Sequence, residues 1–258
     1  MKKPLIIAEL GSCFKPGKPK TLLDAAKAAR DCGADMVKIQ VYNTQGLAWR
    51  RGCPEKKLKP WALLDDGVPQ GLLRELAKIV PFGASVFAGG SHLTSICQCG
   101  PQFLKTATQE YQAVHIVSEV CIRALAFEKV QIYASFQIPT VPHVGNYVSK
   151  HPIVWMACVP QYPAQNADYV VWGGYPSRGQ EARYIRALHN VPGLLGLSDH
   201  TLDFWTTECW LKEFPNLFAI ERHFCYNESL RGKTPDAGPW SLSRRDFKDF
   251  VKTVRGSR

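Results

Sequence analysis

The run Leu217-Phe218-Ala219-Ile220-Glu221-Arg222-His223 is apolar at its start and ends in a carboxylate and an imidazole. A second run closes similarly, in Ser198-Asp199-His200-Thr201. Apolar strands do not ordinarily finish in such residues. The two-residue period of an extended chain puts Glu221 and His223 on one face. With His200 from the preceding strand, that face could hold a divalent metal or carry acid–base chemistry.

Elements able to position these groups recur along the chain. Apolar segments occur at Leu5–Leu10, Met36–Val41, Ala84–Ala88, Phe103–Ala107, Val130–Phe136, Ile153–Val159, Leu194–Ser198 and Leu217–Phe224. Between many of them lie stretches with a helical stripe. Pro19 to Cys32 places Leu22, Leu23, Ala26 and Ala29 on one side and stops at Gly33. Gly71 to Val80, Arg178 to His189, Phe204 to Phe214 and Leu242 to Val254 read similarly. Strands alternating with helices imply parallel pairing, and eight such units predict an α/β fold, a closed (β/α)8 TIM barrel spanning 1–258 as a single domain. The doubly wound open sheet competes, but Gly11-Ser12-Cys13-Phe14-Lys15-Pro16-Gly17 is not the phosphate-binding glycine loop it would need. Two units are irregular. Tyr42 to Pro69 is too long for a plain connection after the second strand, and Gln137 to His151 has no good stripe, so the fifth helix is expected to be degenerate or missing.

In such a barrel the chemistry sits at the carboxyl ends of the strands. Glu9 ends the first strand, and Lys38 and Gln40 share a face at the end of the second. Ser85 lies in the third, Lys105 and Thr108 close the fourth, and Ser135 lies near the end of the fifth. Tyr162 follows the sixth, His200 the seventh, and Glu221 with His223 end the eighth. Singly, Glu9 and Lys38 could be a structural ion pair, Lys105 a loop lysine, Tyr162 a packing aromatic and His200 a cap. Together, two lysines, two carboxylates and two histidines at one mouth cost stability unless something polar binds between them. The lysines, with Thr108 and Ser135, can clamp a phosphate or carboxylate by charge-assisted hydrogen bonds. The imidazoles can bind a divalent metal with positions left open, and Glu9 or Glu221 could move a proton.

Composition narrows the classes. The 45% hydrophobic and 21% charged content is that of a folded soluble protein, and no apolar run is long enough to span a membrane. Glu9 interrupts the only stretch resembling a signal peptide. Nine cysteines without a paired framework read as buried reduced thiols, which predicts a cytoplasmic location. The net charge of +10 gathers at Lys15–Lys20, Arg50–Lys59 and Arg244-Arg245. Nucleic acid, a small anionic substrate and plain solvated faces all fit a basic cluster. None carries the interleaved aromatics of a single-strand-binding groove, so a nucleic-acid partner is not expected.

Several motifs resemble the sialic acid synthase family. Ile6-Ile7-Ala8-Glu9-Leu10-Gly11 resembles its IAEIG, Gly33 to Gln40 its GAD-x-VK-x-Q, and Phe103 to Glu110 its FLKIASGE. Tyr162-Pro163 matches its YP, and Gly196 to Leu202 with Ile220 to Phe224 match GLSDHTL and IE(K/R)HF. The resemblance runs from about Ile6 to Phe250 and covers the family's barrel domain only, without the antifreeze-like domain that follows it there. It implies condensation of phosphoenolpyruvate with an aldose such as N-acetylmannosamine, giving a sialic-acid-type 2-keto sugar acid and phosphate. It implies Mn2+ or Mg2+ on His200 and His223, Glu9, Glu221 and Lys38 as catalytic residues, and Lys38, Lys105 and Thr108 holding phosphoenolpyruvate. Ser135 joins that binding set, and Gln40, Tyr162 and Asp236 (in Thr234-Pro235-Asp236, like GPD) would contact the sugar. In the family a partner subunit's antifreeze-like domain covers the site, so a homodimer is one expectation. Departures include Ser85-Val86-Phe87-Ala88 for STPF, Ala134-Ser135-Phe136-Gln137 for STGM, and Pro160 for an asparagine. Two other functions stay open. One is a 3-deoxy-aldulosonate-phosphate synthase whose Arg50 and Arg51 hold a second phosphate, and the other a non-catalytic barrel binding an anionic ligand or a protein. For the long loop, Trp49, Arg50, Arg51 and Trp61 suggest a cover over the mouth, with packing of the tryptophans on the rim as the alternative.

Overall fold

The computed structural model describes residues 3–44, 54–86, 92–108, 129–138, 153–169, 185–191 and 193–256, without the side chains of residues 107 and 108. Its strands are β1 (Leu5–Glu9), β2 (Met36–Gln40), β3 (Phe82–Ser85), β4 (Phe103–Thr108), β5 (Gln131–Gln137), β6 (Val154–Cys158), β7 (Leu194–Asp199) and β8 (Ala219–His223). All pair in parallel with their sequence neighbours, and β8 returns to β1, so the sheet closes into a barrel. Helices α1 (Thr21–Asp31), α2 (Glu55–Leu58), α3 (Gln70–Ile79), α4 (His92–Cys97), α5 (Trp205–Glu213) and α6 (Arg244–Gly256) lie between or after the strands. Residues 185–189 are helical as well.

The two-residue period of each strand sorts its side chains into two cores. Ile6, Ala8, Val37, Ile39, Leu104 and Ile220 face outward and join the buried stripes of the helices, such as Leu22, Ala25, Ala26 and Ala29 of α1 and Phe247, Phe250 and Val254 of α6. Ile7, Phe103, Tyr133, Val154, Met156 and Ala219 face inward and form a separate cluster that plugs the barrel. Phe103 stacks on Tyr133 with ring centroids 4.0 Å apart and planes 18° from parallel. Burying each such ring is worth about 1.5–3 kcal/mol, so this plug is a firm floor. Polar side chains one step further along the same strands must stand above it.

The third strand begins earlier than expected, at Phe82 rather than Ala84. Gly83 conceals it, because a side-chain-free residue breaks the apolar pattern. A Cβ at Gly83 would sit 2.1 Å from the Phe103 ring, so the aromatic of β4 occupies the volume that β3 leaves free. Gly196 likewise yields to Met156, whose sulfur would lie 2.3 Å from an added Cβ.

The described part of the long connection after β2 is packed rather than projecting. Tyr42 and Leu58 form a small buried cluster with Trp61 against it, and the Trp61 indole donates to the Phe14 carbonyl at 3.2 Å. Rim packing is therefore what Trp61 does here. Trp49, Arg50 and Arg51 lie outside the described residues, as do 139–151 of the irregular segment expected from Gln137 to His151, and 178–184 of the helix predicted before β7. No helix among the described residues is long and apolar enough to cross a membrane. Every cysteine among them is a free thiol.

Candidate active site

Inward residues near the carboxyl ends of β1, β2, β4 and β8 converge on one ion network above the floor. Glu221 is its centre. The Lys105 ammonium donates to both Glu221 carboxylate oxygens at 2.8 and 2.9 Å, and Lys38 donates to Oε1 at 2.9 Å. The Ser198 hydroxyl donates to the same oxygen at 2.9 Å. Lys38 also pairs with Glu9 across β1 and β2, where the two residues are in register. Glu9, Lys38 and Glu221 are each no more than 2% exposed, and Lys105 is 5% exposed.

Such burial would ruin an isolated charge, but here two ammonium groups face two carboxylates. Burial alone would raise the Glu221 carboxyl. The Lys105 and Lys38 charges outweigh it and hold the group well below the usual carboxylate range. The Oε1 atom of Glu9 has no hydrogen-bond partner among the described residues.

The two histidines stand beside this network at the carboxyl end of the barrel, with ring centroids 5.2 Å apart and planes at 59°. His200 is aimed by its surroundings. Its Nδ1 lies 2.7 Å from the Val159 carbonyl, which can only accept, so Nδ1 carries the proton and Nε2 keeps its lone pair. Its backbone N–H donates to the Tyr169 hydroxyl at 3.0 Å, and that hydroxyl donates to the Ser198 carbonyl at 2.7 Å. His223 Nδ1 is buried without a hydrogen-bond partner among the described residues, 3.6 Å from Asp236 Oδ1. Burial pushes His200 down to about 4 and His223 well below its ordinary value, so both rings are neutral near pH 7.

Two neutral imidazoles, one with a fixed tautomer, fit two coordination positions of a divalent metal. No third His, Cys, Asp or Glu among the described residues joins them to complete a metal-holding group.

The remaining expected site residues are placed as follows. Gln40 is buried beside Gly11 at the end of β2, and its Oε1 has no hydrogen-bond partner among the described residues. Tyr162 lies against His200 with centroids 4.4 Å apart and planes tilted by 31°, and meets His223 edge-on at 5.6 Å. Asp236 is wholly buried: its Oδ2 accepts from Ser12 N–H at 2.7 Å and from the Ser12 hydroxyl at 2.8 Å. It stands behind His223 and ties the loop after β1 to the loop after β8. Gly11, at φ +45°, lets that carboxylate close in, since an added Cβ would lie 2.3 Å from Asp236 Oδ2. Ser135 is half-buried on the inward register of β5, in line with Tyr133. Thr108 is the last residue of β4, and its side chain lies outside the described ones. Arg50 and Arg51, expected to hold a second phosphate in the alternative reading, also lie outside them.

Several residues that shape the site were not anticipated. Ser198 was hidden as a small polar residue in a strand, although its two-residue spacing from His200 marks the inward face. Asp199 and Arg222, inside the site motifs, point outward and pair at 2.7 Å with no exposure. Arg222 also donates to the Thr201 and Asp203 carbonyls, while Asp199 accepts from Thr201 and Thr207. This pair fixes the turn that carries His200. Trp240, half-buried, packs on Tyr162 at 5.5 Å, and no motif pointed to it.

No protein-family model matches the chain. A pseudaminic acid synthase of Campylobacter jejuni subsp. jejuni serotype O:2 is 25% identical over 98% of the chain and 74% of its own length. Among solved structures, the N-acetylneuraminic acid (sialic acid) synthetase of Leptospira borgpetersenii serovar Hardjo-bovis matches with a TM-score of 0.73 at 18% identity, covering 99% of this chain and 84% of that one. The spore coat polysaccharide biosynthesis protein spsE of Bacillus subtilis matches with a TM-score of 0.67 at 19% identity, covering 98% and 68%.

Proposed function

We propose that this chain, which is sialic acid synthase-like in sequence and fold, is a phosphoenolpyruvate-dependent synthase that joins phosphoenolpyruvate to an aldose. One water is consumed, and the products are a 2-keto sugar acid of the sialic acid type and inorganic phosphate. The observation that carries this reading is the buried Glu9–Lys38–Glu221–Lys105 network beside two neutral imidazoles. Its formal charges cancel, so it is stable when empty and still offers cations to an anion.

Lys105 is the anion-binding group. An ammonium has three N–H donors, and Glu221 engages two of those of Lys105, leaving a third for a phosphate or carboxylate oxygen. Glu221 tolerates this because Lys38 and Ser198 still donate to it. Glu9 is suited to hold or take a proton, with Oε1 buried and unpaired and Oε2 balanced by Lys38. Mn2+ or Mg2+ on His200 and His223 would supply Lewis-acid polarisation of the sugar aldehyde. Gln40 and Tyr162 line the same mouth and would orient the sugar, which raises the effective concentration of the reacting carbonyl.

The test is direct. The protein is incubated with phosphoenolpyruvate, Mn2+ and either N-acetylmannosamine or other aldoses, with phosphate assayed and the product weighed by mass spectrometry. Aldose-dependent phosphate release with a mass equal to aldose plus the pyruvate unit supports the reading. Absence of release with every aldose contradicts it.

A further inference from the structure

We propose that Trp240 is the aromatic wall of the acceptor subsite and selects a neutral aldose over a phosphorylated one, an inference that rests on the condensation reading above.

Position is the first argument. Tyr162 lies against His200 and His223 and also against Trp240, with centroids 5.5 Å apart and planes at 58°. The indole is thus one ring removed from both imidazoles.

The wall is also built rather than incidental. Arg231, paired with Glu228, donates through Nη1 to the Gly238 carbonyl at 3.2 Å and the Ser241 carbonyl at 3.0 Å, bracketing Trp240 from both sides in sequence. The Ser241 hydroxyl donates to the Asp236 carbonyl, and Leu242 N–H donates to the His223 carbonyl at 2.9 Å. The loop is therefore fastened to the strand end that carries His223. The six-membered part of the indole rests on Gly238, where an added Cβ would lie only 2.1 Å from the ring. A glycine there makes room for this one orientation.

Unpaired polar atoms indicate what the wall meets. Trp240 Nε1 and Gln40 Oε1 are both buried without a hydrogen-bond partner among the described residues. Native interiors seldom leave such groups unpaired, so a ligand that pairs them is favoured. Together they ask for one acceptor oxygen and one hydroxyl donor. An aromatic face and polar atoms in want of partners suit the C–H face and hydroxyls of a sugar. Among the described residues the arginine of this loop, Arg231, is already held by Glu228 and two carbonyls and is not spare for a phosphate.

The experiment compares wild type with Trp240→Ala, Trp240→Phe and Gly238→Ala in the full chain. KM is measured separately for phosphoenolpyruvate and for N-acetylmannosamine, with a sugar phosphate as competing acceptor. Trp240→Ala should raise the acceptor KM roughly tenfold, the scale of one lost aromatic contact, while the phosphoenolpyruvate KM stays within about twofold. Trp240→Phe should recover part of that loss. Gly238→Ala should copy Trp240→Ala, because it displaces the ring and removes nothing else. Preference for N-acetylmannosamine over the sugar phosphate should fall in the Ala variants. An unchanged acceptor KM, or an equal rise in both KM values, overturns the wall. If wild type releases no phosphate with any aldose, the condensation reading fails by itself. Saturation-transfer NMR with N-acetylmannosamine then judges the wall: sugar signal lost in Trp240→Ala supports it, and sugar signal retained, or none with wild type, overturns it.

Discussion

Lys105 grips Glu221 through both carboxylate oxygens, at 2.8 and 2.9 Å, from strands on opposite sides of the barrel interior. The bond is both a structural tie and a reservoir of positive charge facing the mouth. Lys105→Met should weaken phosphoenolpyruvate binding by about 1.5–3 kcal/mol, or roughly ten- to a hundredfold, through loss of one charge-assisted contact. Isothermal calorimetry checks this, and unchanged affinity would remove Lys105 from the clamp.

The histidines tie stability to pH. Burial lowers His200 to about 4 and holds His223 well below its ordinary value. The unfolded chain, with histidines near 6.5, therefore takes up protons first as pH falls. Stability from this source is complete above about pH 6.5 and is lost as pH drops toward the folded values. For His200 alone the loss by pH 5 is about 2 kcal/mol. Urea unfolding of the metal-free protein at pH 7.5 and pH 5 should show a lower midpoint at pH 5. An equal or higher midpoint would mean that the rings are not held neutral.

Asp199 and Arg222 should matter to folding more than to chemistry. Asp199→Asn leaves the Arg222 guanidinium buried without its counter-charge and should cost about 3–5 kcal/mol in urea unfolding. Replacing both with apolar residues of similar volume should restore much of that stability. A loss below about 1 kcal/mol in the single variant would show that the surrounding carbonyls alone satisfy the arginine.

Metal removal offers a further check. Chelation should bring aldose-dependent phosphate release to background, and added Mn2+ should restore it. His200→Ala and His223→Ala should each lower Mn2+ affinity in calorimetric titration. Full turnover after exhaustive chelation would dismiss the metal.

Much of this architecture was legible in the residues. Strand parity paired Lys38 with Gln40 and Glu221 with His223, and position at the carboxyl ends of barrel strands brought these together with Glu9 and Lys105. What escaped notice involved partners distant in sequence. Gly83 concealed the start of β3, since its missing side chain is supplied by Phe103. Asp199 and Arg222 sit inside the site motifs yet face outward, and only their pairing across β7 and β8 reveals a structural task. Asp236, expected at the sugar, is locked to Ser12 by a contact spanning 224 positions. Trp240 gains meaning only from Tyr162, 78 positions earlier in the chain.

The most direct measurement is a crystal structure soaked with Mn2+ and phosphoenolpyruvate. The account predicts metal density between the rings of His200 and His223, with an anionic oxygen of phosphoenolpyruvate against the Lys105 ammonium and the ligand inside the barrel mouth. Phosphoenolpyruvate bound elsewhere, or a mouth empty at saturating ligand with Lys105 still closed on Glu221, would contradict it.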